Sequence, residues 1–191
     1  MDALVVAYVA AFFVINFAFV GLSYTHIRDE LQGELARPAR NAIGNTFLPS
    51  ISLLVPAYNE EVTIVESVRS LLQLQYPSFE VVICNDGSSD RTLDVLRREF
   101  HFVPIEREYN DHLQTAAIRT FYEARIPLPA GLKRLVLIDK ANGGKADALN
   151  AAINVAQGEF VTSMDADSLL VPDALLRAAQ PIADDPSGVV A

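Results

Sequence analysis

The chain has 191 residues, 51% of them hydrophobic, and a formal net charge of −9. Proteins that bind nucleic acids neutralise phosphates with clustered Lys and Arg, and no such cluster occurs here, so no nucleic-acid partner is predicted. The one cysteine, Cys84, can form no disulfide within the chain, and no spacing of Cys and His predicts a zinc site.

The chain begins with an apolar segment that contains no charged residue from Ala3 to Tyr24. As a helix it would cross the ~30 Å hydrocarbon core of a bilayer. A cleaved signal peptide is the alternative, but only Asp2 precedes the segment, and such peptides begin with basic residues. Arginines follow it, from Arg28 onward, which favours a cytoplasmic location for the rest of the chain. We predict a transmembrane helix over residues 1–24 in the cell (inner) membrane and a linker or interfacial segment over residues 25–47.

From Phe47 onward, short apolar runs alternate with amphipathic segments. The runs are apolar on both faces, as parallel strands covered by helices must be; the predicted strands are Ile51–Pro56, Phe79–Asn85, Arg134–Ile138 and Phe160–Met164. The predicted helices are Glu60–Leu74 with Asn59 as its cap, Asp90–Phe100 capped mainly by Asp90, Lys145–Ala156, and a last helix opened by Pro172.

This order predicts an α/β fold with an open, doubly wound, mostly parallel sheet and helices on both faces. Residues 101–133 interrupt it as a long polar excursion. The chain ends at Ala191 in what resembles the start of a strand, so we expect it to be truncated.

Polar residues follow each predicted strand, in segments 56–60, 85–90, 139–145 and 165–167. In an open parallel sheet, ligands bind beyond the carboxyl ends of the strands. We therefore expect the four segments to form one ligand site.

Asp165 and Asp167 are the clearest candidates for a metal site. Mg²⁺ or Mn²⁺ takes one or two protein carboxylates and completes its coordination with phosphate and water, and it would neutralise a diphosphate leaving group. The alternative is structural: Asp165 ends the strand, and Asp167 or Ser168 caps a turn.

The segment from Asn142 to Lys145 precedes a helix whose free N–H groups could face an anion, with Lys145 adding positive charge. It is not a Walker A loop, because Ala146 stands where Ser or Thr is required. The alternative is an ordinary glycine turn with a solvated lysine.

Two more residues are candidates for nucleoside contacts. Asp86 could accept hydrogen bonds from a base or ribose, or simply form a turn with Gly87. Tyr58 could pack against a base, or it could lie at the edge of the core.

In this order the segments resemble family 2 glycosyltransferases with a GT-A fold: VPAYNEE at 55–61, NDGSSD at 85–90, NGGKADALN at 142–150, and DAD within 163–168. The resemblance covers about residues 48–191 and implies a GT-A donor-binding domain there. With the apolar segment before it, the chain is most similar to the processive synthases of cellulose, hyaluronan or poly-N-acetylglucosamine.

The resemblance implies inverting transfer of a hexose or N-acetylhexosamine from a UDP-sugar to a polysaccharide or glycolipid acceptor by a membrane-bound enzyme whose catalytic domain is cytoplasmic. The implied donor contacts are Ala57, Tyr58, Glu60 and Asp86 to the uridine, Lys145 to the diphosphate, and Asp165 and Asp167 to Mg²⁺ or Mn²⁺. Asn85 departs from the family, which often has an aspartate there.

The family's later motifs are not matched. It takes its general base from an acidic motif, often Thr-Glu-Asp, and nothing after Asp167 matches it; the Gln-x-x-Arg-Trp segment is also missing, since the chain contains no tryptophan. We therefore expect the donor half of the enzyme here, with the catalytic base outside this chain.

Three alternatives stay open. A haloacid-dehalogenase-like phosphatase also has a strand-end DxD, although Leu169 stands where Thr or Val is usual. The chain could also be a nucleotide-sugar-binding fragment without turnover, or a transferase with a lipid-phosphate acceptor.

Overall fold

The computed structural model describes residues 8, 11–24, 48–107, 109 and 112–184. The chain forms two compact units, Met1–Gly44 and Asn45–Ala191. The predicted linker over residues 25–47 lies wholly outside the described residues, as do residues 1–7, 9 and 10 of the predicted membrane span.

In the first unit, residues 11–24 form helix α1, and Tyr8 is also helical. All of these residues are exposed, and the one strongly polar side chain, Asn16, donates from Nδ2 to the Phe12 carbonyl at 2.8 Å. Among the described residues, no helix combines the length and the apolar content that a membrane crossing requires. The predicted span therefore stays a prediction.

The second unit contains a six-stranded sheet in the order β3-β4-β5-β2-β1-β6. The strands are β1 (Ile51–Ala57), β2 (Phe79–Asp86), β3 (Phe102–Ile105), β4 (Ile118–Ala124), β5 (Leu132–Lys140) and β6 (Phe160–Ser163). The helices are α2 (Ile64–Leu71), α3 (Thr92–Glu99), α4 (Lys145–Val155) and α5 (Ala174–Asp184).

Four strands run parallel, because β1 pairs with both β2 and β6 and β2 pairs with β5. This confirms the predicted α/β class. The polar excursion over residues 101–133 is corrected: it contains β3 and β4, and β4 lies antiparallel between β3 and β5. In β4, polar Arg119, Thr120 and Glu123 lie among apolar residues, of which Phe121, Tyr122 and Ala124 are buried.

The core of the sheet is closed on one face by α4. Small residues of α4 allow close approach to the sheet and pack, with Val155, against apolar strand residues; the buried cluster is Leu54, Val82, Cys84, Phe121, Val136, Ile138, Ala148, Ala151, Ala152 and Val155. Side chains alternate along a strand, so Leu53 and Val55 point to the opposite face, where they are also buried. The central strands are thus buried on both faces, as predicted.

Two local predictions are wrong. β6 is not apolar and buried on both faces: it lies at the edge of the sheet, and Val161 is 51% exposed. Asn59 does not cap α2, which begins only at Ile64 after Thr63. Instead, Asn59 Oδ1 accepts hydrogen bonds from the backbone N–H groups of Ser89 at 2.8 Å and Asp90 at 3.4 Å.

Candidate functional site

A cleft of about 480 Å³ lies at the carboxyl ends of the parallel strands. The segments after β1, β2, β5 and β6 all contribute to its wall, which consists of Pro56, Ala57, Tyr58, Glu60, Asp86, Asn142, Gly144, Lys145, Ala148, Asp165 and Asp167. The structure thus brings together all of the residues predicted to bind the donor. Pro56, Asn142 and Gly144 come from the same predicted segments, and Ala148 of α4 is an additional lining residue.

Hydrogen bonds brace the loop after β1 against the turn after β2. The backbone N–H of Asn59 donates to Ser88 Oγ at 3.0 Å, and that of Glu60 donates to Thr92 Oγ1 at 2.8 Å. The N–H of Glu61 donates to Asp90 Oδ2 at 3.1 Å. Asn59 has a φ of 56°, in the left-handed region that asparagine tolerates better than most residues. The brace fixes the backbone on which Ala57 and Tyr58 stand.

Asp90 serves both this brace and the first turn of α3. Its Oδ1 accepts from the Thr92 N–H at 2.9 Å, which agrees with the predicted capping role. Burial acts to raise the pKa of Asp90, but hydrogen bonds from Thr92 and the Glu61 N–H outweigh it and hold the pKa below its usual value. Glu61 also has a lowered pKa, chiefly because the Arg91 N–H and side chain donate to it.

The residues at the end of β1 differ in exposure. Ala57 is buried, whereas Tyr58 is 52% exposed and lines the cleft. Glu60 Oε2 accepts from Thr63 Oγ1 at 2.6 Å, which holds this carboxylate against the start of α2. An exposed aromatic ring beside a cleft is suited to packing on a flat ligand.

Asp86 is buried beneath the loop of residues 142–144. Its carboxylate accepts from the N–H groups of Gly143 at 3.0 Å and Gly144 at 2.7 Å, and from Asn142 Nδ2 at 3.3 Å. Asn142 Nδ2 also donates to the Asp86 carbonyl at 2.8 Å. In this arrangement the Asp86 carboxylate organises the glycine loop, a role that the sequence analysis did not assign to it.

Lys140 belongs to the predicted segment 139–145, but the sequence indicated no individual role for it. It is fully buried, and its Nζ contacts Asp86 Oδ1 at 2.7 Å and also Asp147. Asp147 accepts in turn from the Ala116 N–H at 2.9 Å. We call Lys140, Asp86 and Asp147 the Lys140 cluster. The β2–β5 register, which places Asp86 beside Lys140, is the signal that would have found it.

The hydrogen bonds within the cluster favour the charged forms of Lys140 and Asp147. Burial alone would lower the pKa of Lys140, but its hydrogen bonds to Asp147 and Asp86 outweigh burial and raise it. Burial alone would raise the pKa of Asp147, but the hydrogen bonds from Lys140 and the Ala116 N–H outweigh it and lower the pKa. One ammonium group faces the carboxylates of Asp86 and Asp147, so the formal charges of the three side chains sum to −1 next to the cleft.

Gly87 allows the turn after β2 to meet the loop after β5. It has a φ of 65°, and a Cβ at this position would lie 2.6 Å from the backbone N of Asn142. Any larger residue would be strained and would also push the 142–144 loop away. The glycine of the NDGSSD segment is therefore required by both its conformation and its neighbour.

Lys145, Asp165 and Asp167 lie on the exposed side of the cleft. Lys145 Nζ pairs with Asp165 Oδ1, and both side chains are about 60% exposed, at 62% and 60%. Among the described residues, no group of three or more His, Cys, Asp and Glu could hold a metal ion. Two accessible carboxylates nevertheless fit Mg²⁺ or Mn²⁺, which takes its remaining ligands from phosphate and water.

The asparagine at position 85, where the family often has an aspartate, pairs with Asp139 on the neighbouring strand β5. Its Nδ2 donates to Asp139 Oδ1 at 2.7 Å, and both side chains are buried. An aspartate at position 85 would set two carboxylates against each other at this point. The departure at Asn85 is thus matched to Asp139 and stays outside the cleft wall.

The chain is similar in sequence to known glycosyltransferases. The family model described as "Glycosyl transferase family 2" matches residues 52–127 and 127–191. Chondroitin synthase of Pasteurella multocida (strain Pm70) is 32% identical over 128 residues, which are 67% of this chain and 10% of that protein. Poly-beta-1,6-N-acetyl-D-glucosamine synthase of Staphylococcus epidermidis is 32% identical over 129 residues, 65% of this chain and 23% of that protein.

The chain is also similar to a glycolipid synthase and to a solved mannosyltransferase structure. Beta-monoglucosyldiacylglycerol synthase of Trichormus variabilis is 32% identical over 154 residues, 80% of this chain and 25% of that protein. Among solved structures, the mannosyltransferase PcManGT of Pyrobaculum calidifontis, in complex with GDP-Man and Mn²⁺, has a TM-score of 0.55 and 27% identity, over 87% of this chain and 43% of that one. The chain spans a quarter or less of the length of these curated relatives, from 10% to 25%.

Proposed function

The chain belongs to glycosyl transferase family 2, and from that premise we propose that its cleft binds a UDP-sugar together with Mg²⁺ or Mn²⁺. The sugar, a hexose or N-acetylhexosamine, would pass with inversion to a growing polysaccharide. In this proposal the chain supplies the donor and metal half of the enzyme, and the general base lies outside it.

The convergence of distant segments on one cleft carries the proposal. The site residues named in the sequence analysis follow four different strands, and all of them line the same cavity of about 480 Å³. A volume of this size is typical of small-molecule sites, and its position at the carboxyl ends of parallel strands is the usual ligand position in open α/β sheets.

The two sides of the cleft have different chemistry, which suggests how a donor would lie. Tyr58 and the buried end of β1 offer an apolar surface for the base, next to Asp86. Lys145, Asp165 and Asp167 offer an exposed charged side for the diphosphate. We propose that Lys145 pairs with Asp165 in the free chain and with a phosphate oxygen in the complex.

The metal would be held by Asp165 and Asp167. When bound, Mg²⁺ or Mn²⁺ would neutralise the diphosphate as it leaves. The solved mannosyltransferase structure that resembles this chain contains Mn²⁺ with its donor, which supports a divalent metal here. The chain's own part is to present two carboxylates at the end of β6 and to keep Lys145 beside them.

We propose a polysaccharide acceptor because the synthases of chondroitin and of poly-beta-1,6-N-acetyl-D-glucosamine are both related to this chain. A glycolipid acceptor is the second candidate, since the similarity to beta-monoglucosyldiacylglycerol synthase covers 80% of the chain. If the general base lies outside this chain, the chain alone should bind the donor with little or no turnover.

We also propose that α1 belongs to a membrane anchor, which would place the cleft on the cytoplasmic side of the cell membrane. Its described residues are nearly all apolar and exposed, including Phe12, Phe17 and Phe19 at 54%, 74% and 66%. An exposed apolar surface of this kind marks contact with lipid or with another protein. The internal hydrogen bond of Asn16 suits an apolar environment, because it leaves fewer polar groups unpaired.

The donor proposal is tested by calorimetric titration of UDP, GDP and ADP into the detergent-purified chain, with and without Mn²⁺. We expect UDP to bind most tightly of the three, and far more tightly with Mn²⁺ than without it, while circular dichroism shows a folded chain. A folded chain that binds none of the three, or binds them equally without metal, would contradict the proposal. Tighter binding of GDP than of UDP would mean that the donor is a GDP-sugar, and the proposed metal site would be unaffected.

A further inference from the structure

Lys140 holds an unusual position for a lysine. Its side chain is 0% exposed, and its ammonium group contacts one carboxylate from β2 and one from α4, besides the Ala141 carbonyl at 2.7 Å. Lysine is seldom fully buried unless it is paired. Here it is paired twice, directly behind the wall of the donor cleft, although Lys140 itself does not line that wall.

Two loops depend on the carboxylates of the Lys140 cluster. Asp86 accepts hydrogen bonds from the N–H groups of Gly143 and Gly144, and Asp147 accepts one from the N–H of Ala116. The ammonium group is therefore the centre of a network that joins β2, the 142–144 loop, α4 and the segment before β4. If the ammonium charge were removed, the two carboxylates would repel each other across a buried space.

Building on the proposed donor site, we propose that Lys140 is a positioning residue for the diphosphate: it cancels the charge repulsion between Asp86 and Asp147 and so keeps the 142–144 loop in its binding conformation. Its second effect is electrostatic. Without Lys140 the cluster would carry two net negative charges beside a cleft meant for an anion, whereas with Lys140 it carries one.

The test compares Lys140→Met with the double variant Lys140→Met, Asp147→Asn. Methionine keeps most of the length of the side chain and removes its charge, while asparagine at 147 restores the original formal charge and keeps an acceptor for the Ala116 N–H. We expect UDP with Mn²⁺ to bind Lys140→Met at least about tenfold more weakly than wild type, and the double variant to recover most of that loss.

Hydrogen exchange provides a readout that needs no nucleotide. In the wild type, the Gly143 and Gly144 N–H groups are held by Asp86. We expect their exchange to become faster in Lys140→Met and to slow again in the double variant, while exchange in β1 and β2 stays as in the wild type. If Lys140→Met alone does not fold, folding and UDP binding by the double variant would support the proposal.

A double variant that binds UDP no better than Lys140→Met, with equally fast exchange at both glycines, would overturn the proposal, since a packing role of the lysine stem is not restored by removing a carboxylate. The proposed function fails separately, if the wild-type chain binds no UDP. In that case the exchange pattern still decides whether Lys140 positions the loop.

Discussion

Replacement of Asp165 and Asp167 by asparagine in one double variant is expected to weaken the metal-dependent binding of UDP by at least about 100-fold. The two carboxylates are the only acidic side chains that β6 and its following turn present to the cleft among the described residues. Neutral amides are poor ligands for a hard cation. Without metal, the variant should bind UDP as well as the wild type or better, because Lys145 loses its partner Asp165 and becomes available to phosphate.

The matched control is Asp94→Asn, which removes an exposed carboxylate from the first turn of α3, outside the cleft wall. Calorimetry with and without Mn²⁺ should show wild-type affinities for this control. Equal loss in the control and in the double variant would mean that the effect comes from total charge. Full retention of metal-dependent binding by the double variant would show that the metal site lies elsewhere.

Replacement of Gly87 by alanine is expected to lower the free energy of unfolding by about 2–4 kcal/mol and to weaken UDP binding at the same time. Alanine at a φ of 65° is strained, and its Cβ would lie 2.6 Å from the Asn142 backbone N. Backbone cannot move aside as a flexible side chain can. The displacement would open the 142–144 loop away from Asp86 and so disturb the cleft.

Gly21→Ala in α1 is the control for this second prediction, since a Cβ there meets nothing within 4 Å. It should leave UDP affinity unchanged and should not destabilise the chain. Denaturant unfolding and UDP titration of the wild type, Gly87→Ala and Gly21→Ala compare their stabilities and affinities. If Gly87→Ala is as stable as the wild type and binds UDP equally well, the close approach of the two loops has no energetic importance.

The sequence predicted the central strands well because burial on both faces produces uninterrupted apolar runs. Val81, Val82 and Ile83 in β2 are all fully buried, and a short apolar run rich in β-branched residues favours a buried strand over a buried helix segment. β4 was missed because Arg119, Thr120 and Glu123 interrupt its apolar residues. A strand with one core face differs little from a loop until its partners in the sheet are known.

The lining of the cleft could also be predicted, because the residues that follow parallel strands meet at one edge of a sheet. The Lys140 cluster could not, since a lysine at the end of a strand is normally solvated. Its burial depends on the register between β2 and β5 and on the position of Asp147 in the first turn of α4. Asn59 was assigned to the wrong element for a similar reason: its hydrogen-bond partners, Ser89 and Asp90, come from a different loop.

The central claim is that a metal-bound nucleotide occupies the cleft between β1, α4 and the end of β6. The most direct test records amide resonances of the ¹⁵N-labelled chain with UDP and either Mn²⁺ or Mg²⁺, because paramagnetic Mn²⁺ broadens signals near its site. We expect the strongest broadening at Gly144, Ala166 and Asp167. Glu80 and Arg134, which lie near the starts of β2 and β5, should show little broadening. Strongest broadening at Glu80 and Arg134, or none that depends on UDP, would contradict it.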